Sequence, residues 1–406
     1  MARLKLFRSF ASASVMAATL ILVALAVAPQ QLAHAQTLTV LHTFTGGSDG
    51  GEPYTGLTAD QAGGFYGVTY AGGAYGQGVV FYLSHSGLGW VLSPLYTFKG
   101  GVDSGQTLSR VALGPGGVYG TTPNGGTTGN GTVFVLKPPL SICRAIVCSW
   151  SKTVVYNFSG GSDGAHPGGD LLFDGAGNIY GTAMGGGAYG EGVVYKLTRS
   201  GNSWAQTVLW SFSGGADGAG PSSGLVFDSS GNLFGTTGYG GNGWGVVYEL
   251  SPSPMGWSQK TLYAFTYQDQ NPYGGVAIDS AGNLFGFTGA NVGAGIAYEL
   301  SPPPGGWVFT LMHKFDPSYE GPFDTPTLDG QGNVYGTSAF AGGNGEVFKL
   351  ARAGNGWTFT PLYDFTGGDD GLFIVGGVVR DGSGNLYGTS AAGGRQFFGT
   401  LWQLAP

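Results

Sequence analysis

One dipeptide, an aromatic residue followed by glycine inside a short apolar run, recurs along the whole chain at nearly constant spacing. Its seven copies are Tyr66-Gly67, Tyr119-Gly120, Tyr180-Gly181, Phe234-Gly235, Phe285-Gly286, Tyr335-Gly336 and Tyr387-Gly388. Successive glycines are 53, 61, 54, 51, 50 and 52 residues apart. A period of this length indicates a chain built from copies of one supersecondary unit.

A second marker follows the same period. Six tryptophans each precede a phenylalanine by eight residues, in the pairs Trp90/Phe98, Trp150/Phe158, Trp204/Phe212, Trp257/Phe265, Trp307/Phe315 and Trp357/Phe365. Because this spacing never varies, the segment is a rigid element, and loops elsewhere absorb the insertions. We interpret these tryptophans as core residues that pack between units, not as a sugar-binding array.

Each unit contains four strand-like runs. In the fourth unit they cover residues 224–228, 232–237, 245–250 and 257–265, which are rich in β-branched and aromatic residues. The turn at residues 228–232 supplies the Gly and Asn that a tight hairpin needs. Four antiparallel strands repeated seven times predict an all-β, seven-bladed β-propeller.

The two ends of the repeat region complement each other. Residues 37–44 match the fourth strand of a unit, whereas residues 400–404 match the third. A blade made of three strands from residues 373–405 and one strand from residues 37–44 would close the ring and remove both open sheet edges.

Composition narrows the class of protein further. The 406 residues include 81 Gly and 20 Pro, and only 10% are charged while 42% are hydrophobic. This balance argues against helical bundles, coiled coils and basic nucleic-acid binders. The formal net charge of −7 also repels phosphate backbones, so we expect no nucleic acid partner.

Residues 1–35 are typical of a secretory signal peptide. Arg3, Lys5 and Arg8 precede an apolar run at residues 15–28, and Ala33-His34-Ala35 matches a cleavage site. The propeller domain would then cover residues 36–406, exported to an extracellular, periplasmic or cell-surface location. The run is shorter than the roughly 20 residues of a membrane span, so we expect no span in the mature chain. An uncleaved N-terminal anchor is the alternative.

Export also determines how the two cysteines are interpreted. Cys143 and Cys148 form a close pair, which in an oxidising compartment predicts a disulfide that closes a loop. A metal site would require additional Cys or His ligands.

The repeated strings at residues 158–164, 173–182 and 192–197 resemble the GloVer tandem repeat of exported bacterial proteins, described as choice-of-anchor tandem repeat proteins. The resemblance extends over essentially the whole mature chain. It implies an exported or surface-associated protein, and it implies no agreed activity, substrate or catalytic residue.

The loops after the fourth strands and between the second and third strands share one face of a propeller. They carry candidate ligand-binding residues at Asp49, Asp103, Asp163, Asp217, Asp370, Tyr75, Tyr189, Tyr239 and Trp244. Rings that stack on sugars and carboxylates that accept from hydroxyls would suit a carbohydrate. The alternative, which we favour for any single Asp, is that its carboxylate stabilises its own turn. Calcium would also bind such carboxylates, but the chain has no Asp-x-Asp-x-Asp loop, and we predict no metal site.

One repeat position differs between units. Four residues before the first hairpin, five units have a small residue, whereas the second has Arg110 and the third has Asp170. We expect these two charges to meet near the channel wall. They would form either a compensating ion pair, which we favour, or part of a channel-lining binding site.

These observations favour a non-catalytic binding or structural module of the cell envelope or secreted fraction. Its expected partner is a glycan or an envelope protein, and we expect it to be monomeric. No His recurs with a Ser or Asp partner and no glutamate pair is evident, so we assign no catalytic residue. The alternative is a propeller hydrolase or lyase that acts on polysaccharide.

Overall fold

The computed structural model describes residues 36–87, 89–139, 150–201, 203–269, 271–289, 295–302, 305–316, 321–340 and 343–406. Cys143, Cys148 and the segment 1–35 lie outside these ranges. The disulfide and the signal peptide therefore stay predictions.

The described residues form seven antiparallel sheets, which confirms the seven-bladed propeller. The first strand, β1 (Thr37–Thr43), is the outer strand of the last blade. Blade 1 contains β2 (Thr58–Ala59), β3 (Phe65–Val68), β4 (Val79–Ser86) and β5 (Gly89–Thr97). A single 3-10 turn (Gly101–Asp103) leads into blade 2, which contains β6 (Ala112–Gly114), β7 (Gly117–Thr122), β8 (Thr132–Lys137) and β9 (Ser151–Asn157). Blade 3 contains β10 (Ala165–Pro167), β11 (Leu172–Phe173), β12 (Ile179–Gly185), β13 (Val193–Ser200) and β14 (Ser203–Ser211), with β10 and β11 both paired to β12.

The remaining blades repeat the four-stranded pattern. Blade 4 contains β15 (Val226–Phe227), β16 (Leu233–Thr237), β17 (Val246–Ser253) and β18 (Gly256–Ala264). Blade 5 contains β19 (Ala277–Ile278), β20 (Leu284–Thr288), β21 (Ile296–Ser301) and β22 (Val308–Lys314). Blade 6 contains β23 (Thr327–Leu328), β24 (Val334–Ser338), β25 (Glu346–Ala353) and β26 (Gly356–Asp364). Blade 7 contains β27 (Val379–Arg380), β28 (Leu386–Ser390) and β29 (Thr400–Ala405), followed in the sheet by β1.

Ring closure occurs between the two ends of the propeller. β1 pairs antiparallel with β29, with Thr37 opposite Ala405 and Thr43 opposite Thr400. The predicted closing blade is therefore confirmed, since the two ends of the propeller pair within one sheet.

The hydrophobic core is divided among the seams between blades. Seven clusters of buried side chains occur among the described residues, and each combines residues of two neighbouring blades. In the seam that closes the ring, Tyr387 and Leu401 of blade 7 and Phe44, directly after β1, pack with Leu57 and Phe81 of blade 1. Because both faces of a blade are covered in this way, its middle strands are apolar on both sides.

The two repeat markers explain how the seams pack. Phe158 at the end of β9 contacts Tyr195 of the next blade with ring centroids 5.1 Å apart. Trp90 of blade 1 lies against Tyr387 of blade 7, the aromatic residue of a repeated dipeptide, at 5.9 Å. These contacts are the packing between units that the sequence indicated.

The innermost strands are shorter than the sequence suggested. The first run of blade 4, expected at residues 224–228, is a strand only at Val226–Phe227. In other blades, the backbone N–H groups just before the innermost strand donate to side chains of a neighbouring blade. Gly275 N donates to Thr325 Oγ1 over 3.1 Å. Gly377 N donates to Asp324 Oδ2 over 2.6 Å. These groups connect blades to one another instead of extending a sheet.

Candidate functional site

A cavity of about 390 Å³ lies where the chain enters the first strand of each blade. All seven blades contribute lining residues, which places this axial cavity on the centre of the ring. One position of the repeat lines this cavity in every blade. It lies six residues before the first hairpin begins, and its residues are Tyr54, Leu108, Gly168, Ser222, Tyr273, Phe323 and Val375.

Arg110 and Asp170, the two charged residues of the sequence comparison, meet in the axial cavity. Arg110 Nε donates to Asp170 Oδ2 over 2.7 Å, and the backbone N of Arg110 donates to Asp170 Oδ1 over the same distance. Both oxygens of Asp170 are therefore engaged by one residue of the neighbouring blade.

A second carboxylate, Asp324 of blade 6, faces the same guanidinium. Arg110 Nη2 lies 3.5 Å from Asp324 Oδ1. Asp324 also accepts from Thr325 N and Gly377 N, both over 2.6 Å. A Cβ at Gly377 would lie 2.9 Å from Asp324 Oδ2, so the small residue at this repeat position makes room for the cluster.

The two carboxylates hold Arg110 firmly in its cationic form. Burial by itself lowers the pKa of the Arg110 guanidinium, but the negative charges of Asp170 and Asp324 outweigh burial and raise that pKa above its ordinary value. One cation against two carboxylates leaves the cavity with an excess negative charge.

One side of the axial cavity is aromatic. Tyr273 and Phe323, from blades 5 and 6, have ring centroids 6.1 Å apart at an interplanar angle of 34°. Tyr54 and Phe373, from blades 1 and 7, are 5.9 Å apart at 83°. In blades 3 and 4, Gly168 and Ser222 occupy the repeat position that is aromatic in blades 1, 5 and 6. The aromatic surface is therefore opposed by small residues and backbone.

A buried hydroxyl completes the polar lining. Thr55 is 5% exposed, and its Oγ1 has no hydrogen-bond partner among the residues that the structure describes. Its backbone O accepts from Thr389 Oγ1 of blade 7 over 2.9 Å, which fixes this part of the wall.

The loop aspartates proposed from the sequence make hydrogen bonds within their own turns. Asp163 accepts from Ser159 N over 2.8 Å and from Tyr156 OH over 3.0 Å, and also from Ser159 Oγ. The same pattern occurs at Asp49, Asp103, Asp217 and Asp370. Each carboxylate accepts a hydrogen bond from the backbone N–H four residues earlier in the chain, and each is also hydrogen-bonded to the side chain seven residues earlier. None of the five lines the axial cavity.

None of the loop aromatics proposed from the sequence lines the axial cavity. Tyr75, Tyr189 and Tyr239 are exposed, and Trp244 packs edge-on against Tyr267 with ring centroids 5.3 Å apart. Tyr189 and Asp217 instead share an outer groove between blades 3 and 4. The structure thus separates the loop candidates from the Arg110–Asp170 pair, and their role in ligand binding stays a prediction.

In the described ranges, no group of three or more His, Cys, Asp or Glu side chains is arranged to hold a metal ion. The same residues contain no helix long and apolar enough to cross a membrane.

The family follows from the repeat itself. Residues 142–339 match the family model described as the Gloeobacter/Verrucomicrobia repeat. This match covers just under half of the chain, and over that stretch the chain is similar to the repeat family. The match confirms the resemblance to the GloVer repeat, whereas no curated protein matches this repeat protein in sequence.

Solved structures with the same fold include two bacterial proteins provisionally assigned as 6-phosphogluconolactonases. The one from Bacteroides uniformis ATCC 8492 is 15% identical, with a TM-score of 0.52 over 77% of this chain and 87% of its own. The one from Bacteroides fragilis NCTC 9343 is 14% identical, with a TM-score of 0.50 over 75% of this chain and 82% of its own. At these identities the likeness shows the fold alone.

Sequence reasoning missed Asp324 and the aromatic side of the cavity. Asp324 is displaced by one residue from the position of Arg110 and Asp170, where its own unit has Thr325. The six other units have Thr, Ser or Gly at the position of Asp324. An alignment of the seven units therefore shows Asp324 as the one charged residue at this repeat position, and that signal could have identified it.

Proposed function

We propose that this chain is an exported, non-catalytic carbohydrate-binding module and that the axial cavity is its binding site. The observation that carries the proposal is the combination of aromatic side chains from four blades with the charged cluster of Arg110, Asp170 and Asp324 in one cavity. The apolar face of a sugar ring stacks on aromatic side chains, while its hydroxyls require the donors and acceptors that line the rest of the site.

The charged groups favour binding over catalysis. Arg110 and Asp170 form an ion pair with each other, so neither side chain is free to act as an acid or a base on a ligand. Among the described carboxyl groups, Glu346 has a pKa raised to about 7, as a general acid requires, but it does not line the axial cavity.

Export is supported by the segment at residues 1–35, with its basic start and cleavage motif. An extracellular or periplasmic location would bring the cavity into contact with polysaccharide.

Isothermal titration calorimetry with a panel of neutral oligosaccharides, on protein produced from the complete chain, tests the proposal. Removing one ring with Tyr273→Ala should weaken binding by about tenfold, since stacking of this kind contributes about 1 kcal/mol or more. Tyr267→Ala, which removes an exposed ring outside the cavity, is the matched control.

Binding that is lost in Tyr273→Ala and kept in Tyr267→Ala would support the proposal. It is wrong if none of the saccharides binds, if both variants bind equally well, or if the protein cleaves the oligosaccharides during the titration.

A further inference from the structure

The two carboxylates of the axial cavity differ in how far their charge is compensated. Asp170 receives two donors from Arg110, each over 2.7 Å, and forms a closed pair with it. Asp324 lies 3.5 Å from the same guanidinium, beyond the distance of a strong charge-assisted hydrogen bond. The excess negative charge of the cavity is therefore concentrated on Asp324.

Asp324 also has acceptor capacity left. Each of its oxygens accepts one backbone N–H, from Thr325 and from Gly377. A carboxylate oxygen offers about two lone-pair positions. Its side chain is 20% exposed and lines the cavity, so a donor that enters the cavity can reach it.

Among the residues that the structure describes, the cavity lining gives Asp324 no cation besides Arg110. Arg110 is the only Lys or Arg among the described residues that line the axial cavity. Aromatic rings are close by instead, since Phe323 precedes Asp324 in the chain and Tyr273 lies 6.1 Å from Phe323. The π face of such a ring attracts a positive charge.

The hydroxyl of Thr55 is a further polar group at the wall of the same cavity. Thr55 Oγ1 is buried at the cavity wall without a hydrogen-bond partner in the described part of the chain. A buried hydroxyl in this state is costly unless a ligand or water supplies the missing partner.

We infer that the axial cavity prefers saccharides that carry a protonated amino group, with the ammonium seated between Asp324 and the aromatic side of the cavity. This preference rests on the proposed function. An ammonium supplies both the positive charge and the hydrogen-bond donors that Asp324 lacks, whereas a neutral sugar supplies only weaker donors and an acidic sugar is repelled.

A matched pair of ligands tests the inference. Glucosamine tetramer and N-acetylglucosamine tetramer have the same backbone and differ in whether the nitrogen is charged, so calorimetry in mildly acidic, low-salt buffer compares them directly. The amino form should bind about tenfold more tightly, and added salt should reduce the difference because the site is partly open to solvent.

Two variants locate the effect. Asp324→Asn should abolish the preference, so that the ratio of the two affinities falls from about ten to about one. Asp369→Asn removes the same charge from an exposed pair with Arg395 outside the cavity, and should leave the preference intact.

Equal affinity of the wild-type protein for the two tetramers would overturn the inference while the proposed function stands. An equal loss of preference in the two variants would also overturn it, since overall charge would then be the cause. If neither tetramer binds, and no neutral saccharide of the panel binds, the proposed function itself fails. Should Asp324→Asn not fold, the ligand pair and its salt dependence on the wild-type protein still decide.

Discussion

The ring of Tyr195 lies so close to the Cα of Gly181 that a Cβ at position 181 would be 2.7 Å from Tyr195 Cζ and 2.5 Å from its hydroxyl oxygen. Gly181 is the glycine of a repeated dipeptide, and Tyr195 is fully buried on the neighbouring strand of the same blade. The glycine recurs because it leaves space for the ring that fills the seam.

Gly181→Ala is therefore expected to lower the free energy of unfolding by about 2 kcal/mol, the cost of overpacking a close-packed core. Gly175→Ala is the matched control, because a Cβ at this position of the same blade meets no atom within 4 Å. Chemical denaturation would show an unchanged or slightly raised stability for the control. Equal stabilities of the two variants would contradict the packing role of the repeated glycine.

The Arg110–Asp170 pair should behave as a coupled unit. Arg110→Ala leaves Asp170 and Asp324 facing the cavity without their cation, and we expect a loss of about 2 kcal/mol, moderated because the pair is partly exposed. The double change Arg110→Ala with Asp170→Ala should be less destabilising than Arg110→Ala alone. A double-mutant cycle measured by denaturation checks this. The exposed Arg395–Asp369 pair should show no measurable coupling, and independence of Arg110 and Asp170 would refute the pairing.

Glu346 predicts a pH dependence of stability. Burial, and to a smaller extent the charge of Asp364 opposite it on β26, raises the pKa of Glu346 from 4.5 to about 7. The native state therefore keeps a proton that the unfolded chain loses, so the contribution of Glu346 to stability is most favourable below about pH 4.5 and falls as the pH rises to about 7.

Glu346→Gln removes this penalty. Relative to the wild-type protein it should raise the free energy of unfolding by about 3 kcal/mol near pH 8 and by little near pH 4. Asp364→Asn should give a smaller gain near pH 8, because it removes only the lesser cause. Denaturation curves at the two pH values decide, and a gain for Glu346→Gln that does not depend on pH would show that the carboxyl is not held protonated.

Asp163 tests the role of the loop aspartates. Asp163→Ala removes the acceptor for Ser159 N and Tyr156 OH, so we expect a loss of stability of about 1 kcal/mol. Saccharide affinity should not change, since Asp163 does not line the axial cavity. The exposed neighbour in the same turn, changed by Ser162→Ala, is the control for both measurements. A loss of affinity with no loss of stability would assign Asp163 to the ligand instead of the turn.

The blades and their closure could be predicted from the sequence because both depend on local patterns. The aromatic-Gly dipeptide and the Trp-to-Phe spacing repeat at fixed intervals, and the missing fourth strand of the last unit reappears at Thr37–Thr43. Register equivalence also predicted that Arg110 and Asp170 meet, and the structure has them in contact just before the inner strands of blades 2 and 3.

The composition of the axial cavity was harder to predict. Tyr54, Tyr273, Phe323 and Phe373 are far apart in sequence and meet only because the ring brings blades 5, 6, 7 and 1 together around one axis. The contact of Asp324 with Arg110 of a non-adjacent blade depends on side-chain reach across the axis, which a repeat alignment does not contain.

The position of a bound saccharide in a crystal structure tests the central claim most directly. With a glucosamine tetramer, we predict a sugar ring against Tyr273 and Phe323 and a nitrogen within hydrogen-bond distance of Asp324. Density confined to the outer groove beside Tyr189 and Asp217, with the axial cavity holding only solvent, would contradict the assignment of the site.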